Sequence, residues 1–192
     1  DVSLKNANRE SITAKGSVDF TQERPVLGLK VSMDKFKLNA FSPLGEDILT
    51  KIRGEASGVF YVSGFLRNPI MKGGLELKDA GLKFPYLNVD YDFEGDTKIR
   101  LENQSFFFEK LSLLDVKHKT RADFSGDITH KDFRDWYLNL TIDTDNLLVL
   151  DTKETEESLY YGSAFIDGRA RITGLTSNLT IDVNAKTNKG TV

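Results

Sequence analysis

Alternation of apolar and polar side chains at every second position is the feature that most constrains how this 192-residue chain folds. Successive side chains of a β-strand point to opposite faces, so this alternation indicates strands with one apolar face and one polar face. Roughly ten to twelve segments follow the pattern, separated by Gly, Asn and Asp turn signals. Clear examples are Leu27–Met33, Ala122–Ile128, Trp136–Ile142 and Leu179–Ala185. Because no helical runs separate these segments, the sequence predicts an all-β antiparallel meander.

One segment departs from the alternation. Apolar residues between Leu44 and Ile52 have helical spacing, Pro43 is typical of a first helical turn, and Gly54 is typical of a helix end. The sequence therefore predicts one short amphipathic helix near residues 43–53, which we expect to cover one end or edge of the sheet.

Alternation indicates that one face of each strand is buried, but it does not determine what that face packs against. A β-sandwich buries each sheet on the other, whereas a curved open sheet leaves an apolar trough, and periodicity alone favours the sandwich. Gly162, Gly168 and Gly174 are spaced six residues apart, on a strand face that otherwise carries small or aliphatic residues. Glycines in a strand favour a bend or bulge here, and space kept for a guest molecule is the alternative.

Composition excludes several classes of function. The chain has 26 basic and 29 acidic residues and a net charge of −3, so it lacks the basic surplus of a nucleic-acid-binding domain. It contains no cysteine, which excludes disulfides, Cys nucleophiles and Cys-based zinc sites. His118 and His130 are the only histidines, and both are predicted to be solvated at strand ends. We therefore predict no metal site and no cofactor.

Two acidic clusters are candidates for chemistry. Asp90, Asp92, Glu94 and Asp96 alternate with apolar residues, which favours one solvated strand face over the paired carboxylates of a glycosidase. The second cluster misses the spacing of a calcium-binding loop and is predicted to be a polar turn: Asp143, Asp145, Asn146 and Asp151. No nucleophile-elbow, P-loop or dinucleotide motif is present. The sequence therefore predicts that the chain is not an enzyme.

Several short motifs, taken in order, resemble the TamB family, the translocation and assembly module subunit. The upstream motifs are Gly58-Val-Phe-Tyr-Val-Ser-Gly64, Asn68-Pro69, Gly73-Gly74-Leu75-Glu-Leu77 and Leu82-Lys-Phe84-Pro85-Tyr86. The downstream motifs are Tyr160-Tyr161-Gly162-Ser-Ala164, Gly168, Ile172-Thr-Gly174, Leu179-Thr-Ile181 and the closing residues Ala185–Thr191. The resemblance extends from about residue 42 to the end of the chain, and the Tyr-Tyr-Gly motif is most similar to Bacteroidetes members.

The resemblance implies a fold and a cellular setting. Family members belong with the AsmA-like, bridge-type lipid-transfer proteins, are anchored in the inner membrane and reach across the periplasm to the outer membrane. Their sheets curl into an open U-shaped half-pipe, or β-taco, with an apolar inner face. Residues 1–192 are therefore expected to be a single segment of a longer TamB-like groove.

The resemblance also implies two functions with different partners. The first is shielding of phospholipid acyl chains during transport between the inner and outer membranes. The alternative is a chaperone-like scaffold that assists outer-membrane protein assembly by strand augmentation with an Omp85-class barrel protein. The unpaired edges of an open sheet also predict edge-to-edge self-association.

The apolar positions of the downstream strands are the candidates for lining the groove. We call these residues the groove floor and expect them to contact acyl chains: Phe124, Ile128, Trp136, Leu138, Leu140, Ile142, Leu179, Ile181 and Val183. A carbohydrate-binding β domain is a third possibility and would need exposed aromatic residues on the polar face. Tyr61, Tyr91 and Tyr137 are its candidates.

Overall fold

Twelve strands form one antiparallel sheet within the residues that the computed structural model describes, which are 2–6, 9–21, 23–44, 49–66, 68–95, 97–132, 135–154 and 161–191. The strands are β1 (Val2–Asn6), β2 (Arg9–Asp19), β3 (Val26–Lys37), β4 (Thr50–Phe65), β5 (Asn68–Phe84), β6 (Val89–Glu94), β7 (Thr97–Asn103), β8 (Ser105–Asp115), β9 (Arg121–Lys131), β10 (Asp135–Thr152), β11 (Gly162–Leu175) and β12 (Asn178–Thr187). The predicted all-β class and the number of strands are confirmed.

The strands follow one another through the sheet in chain order, with a single local exception. The short strands β6 and β7 both lie between β5 and β8, where β6 pairs with Gly81–Phe84 and β7 pairs with Met71–Leu77 of the long strand β5. Among the described strands, β1 pairs only with β2 and β12 pairs only with β11. The sheet is therefore an open meander, which confirms the curved open form over a sandwich of two sheets.

The register between strands places the apolar residues of neighbouring strands on one face, which we call the inner face. One row of directly opposed residues crosses the sheet from β3 to β12 through Val31, Phe60, Gly73, Leu101, Phe106, Ile128, Leu138, Gly174 and Leu179. The opposite, outer face carries mainly charged and hydroxyl side chains. A slip by one residue in any hairpin would exchange the two faces of a strand, so the apolar face itself specifies the register.

Several β-bulges keep apolar residues on the inner face of the long strands. Between Met33 and Phe36, and again between Phe108 and Leu111, one strand advances three residues while its partner advances two. The extra residue restores an apolar side chain to the inner face and bends the strand. In the first bulge, Lys35 has a φ of 50°.

Curling of the sheet buries apolar residues in two clusters. The first is formed by β3, β4, β5 and β7, and its fully buried members are Val31, Ala56, Phe60, Met71, Leu77, Ala80, Ile99 and Leu101. The second is formed by β6 and β8–β11, with buried members Val89, Tyr91, Leu113, Ala122, Leu147, Leu148 and Phe165. Both clusters lie on one continuous sheet, so each is buried by curvature and not by a second sheet.

Strands β6 and β10 come together at the second cluster although they are not neighbours in the sheet. The hydroxyl group of Tyr91 donates a hydrogen bond to the carbonyl oxygen of Leu148 at 2.6 Å. The amide nitrogen of Asp151 donates to the carbonyl oxygen of Leu87 at 3.0 Å. These contacts close one side of the curled sheet around the second cluster.

The prediction of a helix near residues 43–53 is wrong for the second half of that range. Strand β4 begins at Thr50, and the helical turn that does form is a 3-10 helix over Leu38–Leu44. Residues 45–48 lie outside the described part of the chain. A helix of three turns gains little stability by itself. Arg53 is instead fixed in the sheet, with its guanidinium 2.8 Å from a carboxylate oxygen of Asp90 and 2.5 Å from one of Asp92.

We expect Gly126→Ala to lower the free energy of unfolding by about 2 kcal/mol or more, because Gly126 has a φ of 131° and an added Cβ atom would lie 2.0 Å from the carbonyl oxygen of Asn139. Gly28→Ala is the matched control, since a Cβ atom there meets only the Ser17 hydroxyl oxygen, at 3.7 Å. Urea unfolding of both variants checks the prediction. Equal stability of the two variants would contradict the close backbone approach at Gly126.

Candidate functional site

The nine residues of the groove floor lie on the inner face of β9–β12, in directly opposed positions. Leu138 opposes Ile128 of β9, and Ile142 opposes Phe124. Across β11, the same rows continue to β12, where Leu179, Ile181 and Val183 extend the rows of Leu138, Leu140 and Ile142, respectively. All nine residues therefore lie on one face of the sheet, and lipid binding by them is a prediction.

Exposure of the groove floor increases towards the edge of the sheet. Leu140 is 8% exposed, and its neighbours on β9 and β10 are half-buried. On β12, Ile181 is 62% exposed and Val183 is 59% exposed. Since no described strand lies beyond β12, the apolar face is most accessible there.

The middle strand of this region, β11, contributes little side-chain bulk. Its inner face carries Gly168, Ala170, Ile172 and Gly174 opposite β10 and β12. A Cβ atom on Gly168 would lie 2.3 Å from the carbonyl oxygen of Asn184. Close backbone approach therefore accounts for this glycine. Ile172 also lies on this inner face, directly opposite Leu140 of β10 and Ile181 of β12.

A ring cluster closes one end of the floor, where Phe106, His130 and Trp136 meet. The ring centres of His130 and Trp136 are 5.2 Å apart, and that of Phe106 lies 6.1 Å from the first and 6.3 Å from the second. His130 is only 1% exposed, so its predicted solvation is wrong. His130 lies two residues after Ile128 in β9, so the alternation of the strand places both side chains on the inner face. His118 is exposed as predicted.

The three consecutive phenylalanines divide between the faces. Phe106 and Phe108 point to the inner face, opposite Ile128 and Gly126 of β9. Phe108 and Phe124 form an edge-to-face pair with ring centres 5.5 Å apart. Phe107 lies on the outer face, where the guanidinium carbon of Arg100 is 4.2 Å from its ring centre. The two inner rings extend the apolar floor from β9 into β8.

The outer face neutralises its charges in cross-strand pairs. Glu94 accepts hydrogen bonds from Arg121 at 2.7 and 3.0 Å, and this bonding lowers the pKa of the Glu94 carboxyl. A glycosidase acid needs the opposite shift. Asp90 and Asp92 share the outer face and contact Arg53, so the prediction of one charged strand face is confirmed for these three carboxylates. Asp96 lies outside the described residues.

The second acidic cluster is not the predicted turn, because Asp143, Asp145, Asn146 and Asp151 all lie within β10. Asp143 contacts Arg169 at 2.6 Å, and Asp151 contacts Lys117 at 2.5 Å. Strand pairing with β9 and β11 overrides the local preference of Asp and Asn for turns. Across the described ranges, no group of His, Asp and Glu side chains is arranged to hold a metal ion.

The exposed aromatic residues do not form a common carbohydrate-binding surface. Tyr91 is buried on the inner face, contrary to its candidacy, because β6 packs its odd-numbered residues into the second cluster. Tyr61 and Tyr137 are exposed on the outer face but belong to β4 and β10, which four other strands separate.

Residues 110–192 match the family model described as the TamB C-terminal domain. This part of the chain is similar to the TamB family. The matched segment contains β9–β12 and all nine residues of the groove floor, so the TamB domain of this chain supplies the accessible part of the apolar face. No significant match is found among curated proteins or among solved structures. Within the described ranges, no helix is long and apolar enough to cross a membrane.

We expect the protein to lose stability as the pH falls below about 6.5, because burial lowers the pKa of His130 while its unfolded-state pKa stays near 6.5. The unfolded chain then binds a proton that the folded chain excludes. Unfolding free energies of the wild type and of His130→Phe, measured by urea denaturation between pH 7.5 and 5.5, check this. The variant should lose less stability over that range, and an equal loss would contradict the prediction.

Proposed function

We propose that this chain is a segment of a TamB-like groove that shields phospholipid acyl chains as they pass through the periplasm between the inner and outer membranes. The observation that carries the proposal is the continuous, mainly apolar inner face, whose accessibility rises towards β12. The match of residues 110–192 to the TamB C-terminal domain supports the envelope setting. In this proposal, residues 1–192 continue into further groove segments of a longer protein, which is anchored in the inner membrane and reaches the outer membrane.

The proposed mechanism needs contacts that are apolar and similar along the groove. Burial of each methylene group of an acyl chain contributes about 0.8 kcal/mol, without directional bonds that would hold the lipid at one position. Strands spaced by about 4.8 Å give a sheet roughly 50 Å long over the eleven-strand path. The polar head group stays in solvent at the mouth of the groove. No catalytic step and no cofactor is part of this function.

We expect Ile181→Arg to reduce co-purified phospholipid by about tenfold, because a guanidinium group would project from the floor into the acyl-chain path. Ile181 is already 62% exposed, so the substitution leaves the packed clusters intact. Thr180→Arg places the same group on the outer face of the same strand and is the matched control. Lipid mass spectrometry of the purified proteins, with circular dichroism to verify folding, measures the difference.

Two results would oppose the lipid proposal. Equal amounts of phospholipid in both variants would mean that the groove-floor residues of β12 are not part of the binding surface. Absence of phospholipid from folded wild-type protein, even after incubation with phosphatidylethanolamine and phosphatidylglycerol vesicles, would reject acyl-chain binding by this chain.

The free edge of β12 favours a second function, a scaffold for outer-membrane protein assembly. An unpaired strand edge can add a strand of a client or of an Omp85-class barrel protein through backbone hydrogen bonds. Strand β12 contains no proline and pairs on one side only among the described strands. This function depends on backbone groups at the edge, whereas lipid shielding depends on side chains of the floor.

We expect Val183→Pro to abolish strand addition, because proline removes one edge N–H group without placing a charge in the floor. The measurement is suppression of aggregation of a urea-unfolded outer-membrane barrel protein on dilution. If the scaffold function holds, Ile181→Arg should retain most of the suppression that Val183→Pro loses. Equal suppression by wild type and Val183→Pro would contradict it.

A further inference from the structure

A group of exposed apolar side chains lies on the outer face of β4 and β5. Val59, Tyr61 and Phe65 lie on the outer side of β4 and are 42%, 56% and 46% exposed, respectively. Ile70 of β5 lies on the same face, opposite Ser63, and is 45% exposed. Large apolar side chains that lie together on an exposed surface are typical of an interaction site.

Two turns extend this group at one end of the strands. The β2–β3 turn adjoins the β4–β5 turn, because the amide of Leu66 donates a hydrogen bond to the carbonyl oxygen of Pro25 at 2.9 Å. Leu66 is 54% exposed, and Phe20, at the start of the β2–β3 turn, is 73% exposed. The exposed apolar side chains therefore continue from the face of the sheet to its turns.

Three lysines lie in one row with Tyr61 across the same face. Lys30 of β3 and Lys72 of β5 lie directly opposite Tyr61, one on each side. Lys15 of β2 continues the row, opposite Lys30. All three lysines are exposed, and none forms an ion pair with a carboxylate of the described residues. At a strand spacing of about 4.8 Å, the row spans roughly 14 Å.

The charge of this surface is opposite in sign to that of the whole chain. The outer-face residues of β2–β5 form four rows of directly opposed positions, from the row that begins at Thr13 to the row that begins at Asp19. Their charged members are the three lysines and Asp19, which gives a net +2, whereas the chain carries −3. Asp19 lies two rows from the lysines and accepts hydrogen bonds from Thr21 at 2.8 and 2.6 Å.

We propose that this basic aromatic surface, formed by the three lysines, Tyr61 and the exposed apolar side chains around them, binds the surface of a membrane that contains anionic phospholipid. Lysines near a membrane are attracted to anionic head groups, and exposed aromatic and aliphatic side chains lie at the boundary between head groups and acyl chains. A nucleic acid would use the lysines and a ring, but it would leave the aliphatic side chains of Val59, Leu66 and Ile70 in water.

The basic aromatic surface is separate from the groove floor. It lies on the opposite face of the sheet, upstream of the residues that match the TamB C-terminal domain. The inference therefore goes beyond acyl-chain shielding, and it uses the side chains of a sheet face and no strand edge.

Flotation of the 192-residue chain with vesicles tests the electrostatic part of the proposal. Vesicles of phosphatidylglycerol and phosphatidylcholine in equal parts should bind the chain at least about tenfold more tightly than phosphatidylcholine alone, and added salt should weaken the binding. Lys30→Glu/Lys72→Glu should weaken it at least about thirtyfold. Lys119→Glu/Lys189→Glu is the matched control, with the same change in net charge at two exposed lysines outside the surface, and should bind nearly as the wild type does.

A second pair of variants tests the apolar part. Tyr61→Ser/Ile70→Ser keeps the lysines and should weaken binding to the same vesicles at least about tenfold, because less apolar area enters the membrane. Tyr137→Ser/Leu175→Ser is the matched control. These two residues also oppose each other on the outer face and are 46% and 45% exposed, but they lie on β10 and β11.

Several results would overturn the proposal. One is that folded wild-type chain does not bind the anionic vesicles at low salt. Another is equal weakening by a surface variant and its matched control, which would mean attraction to the chain as a whole. A change in oligomeric state in the surface variants, without vesicle binding by the wild type, would identify a protein contact instead. Phospholipid that co-purifies with Lys30→Glu/Lys72→Glu should equal that of the wild type, which separates this surface from the groove.

Discussion

Each hairpin of this sheet must keep the apolar side chains of one strand in phase with those of the next, and the rest of the structure depends on this constraint. A strand has a period of two, so a single extra residue would turn its apolar side chains to solvent. The chain meets the constraint with bulges at positions where two apolar residues are three apart, such as Met33 and Phe36. It also places glycines such as Gly126 on the inner face, where a side chain would collide with the neighbouring backbone. The same bulges and glycines bend the sheet, so the alignment of apolar side chains on one face and the curvature of the sheet have a common origin.

Curvature determines which part of the apolar face stays accessible. The sheet is most tightly closed where β10 reaches β6, and there Leu147 and Leu148 are each 1% exposed. Towards β12 the inner-face residues change from buried through half-buried to exposed. A surface that binds a mobile apolar ligand must leave part of its apolar area uncovered, at some cost in folding stability. In this chain, the uncovered area lies within the segment that matches the TamB C-terminal domain.

The alternation in the sequence was sufficient to predict the fold class, the number of strands and the face on which the nine floor residues lie. It was not sufficient for features that depend on pairing between distant strands. The helix near residues 43–53 followed from local spacing, but Thr50–Arg53 gain more by pairing with β5. Asp143–Asp151 have turn composition yet lie in β10, because strands on both sides satisfy their backbone groups. Burial of His130 follows from its spacing of two residues from Ile128, whereas the charged residues near it in the sequence favour solvent exposure.

The two proposed activities of β12 use the same residues but different atoms. An odd-numbered residue such as Val183 presents its side chain to the floor and its backbone groups to the free edge. An even-numbered residue such as Asn184 presents its side chain to the outer face and its backbone groups to β11. A charge at an odd position therefore acts mainly on the apolar floor, and a proline there acts on the edge. The geometry of one strand thus separates lipid shielding from strand addition, although both depend on the same ten residues.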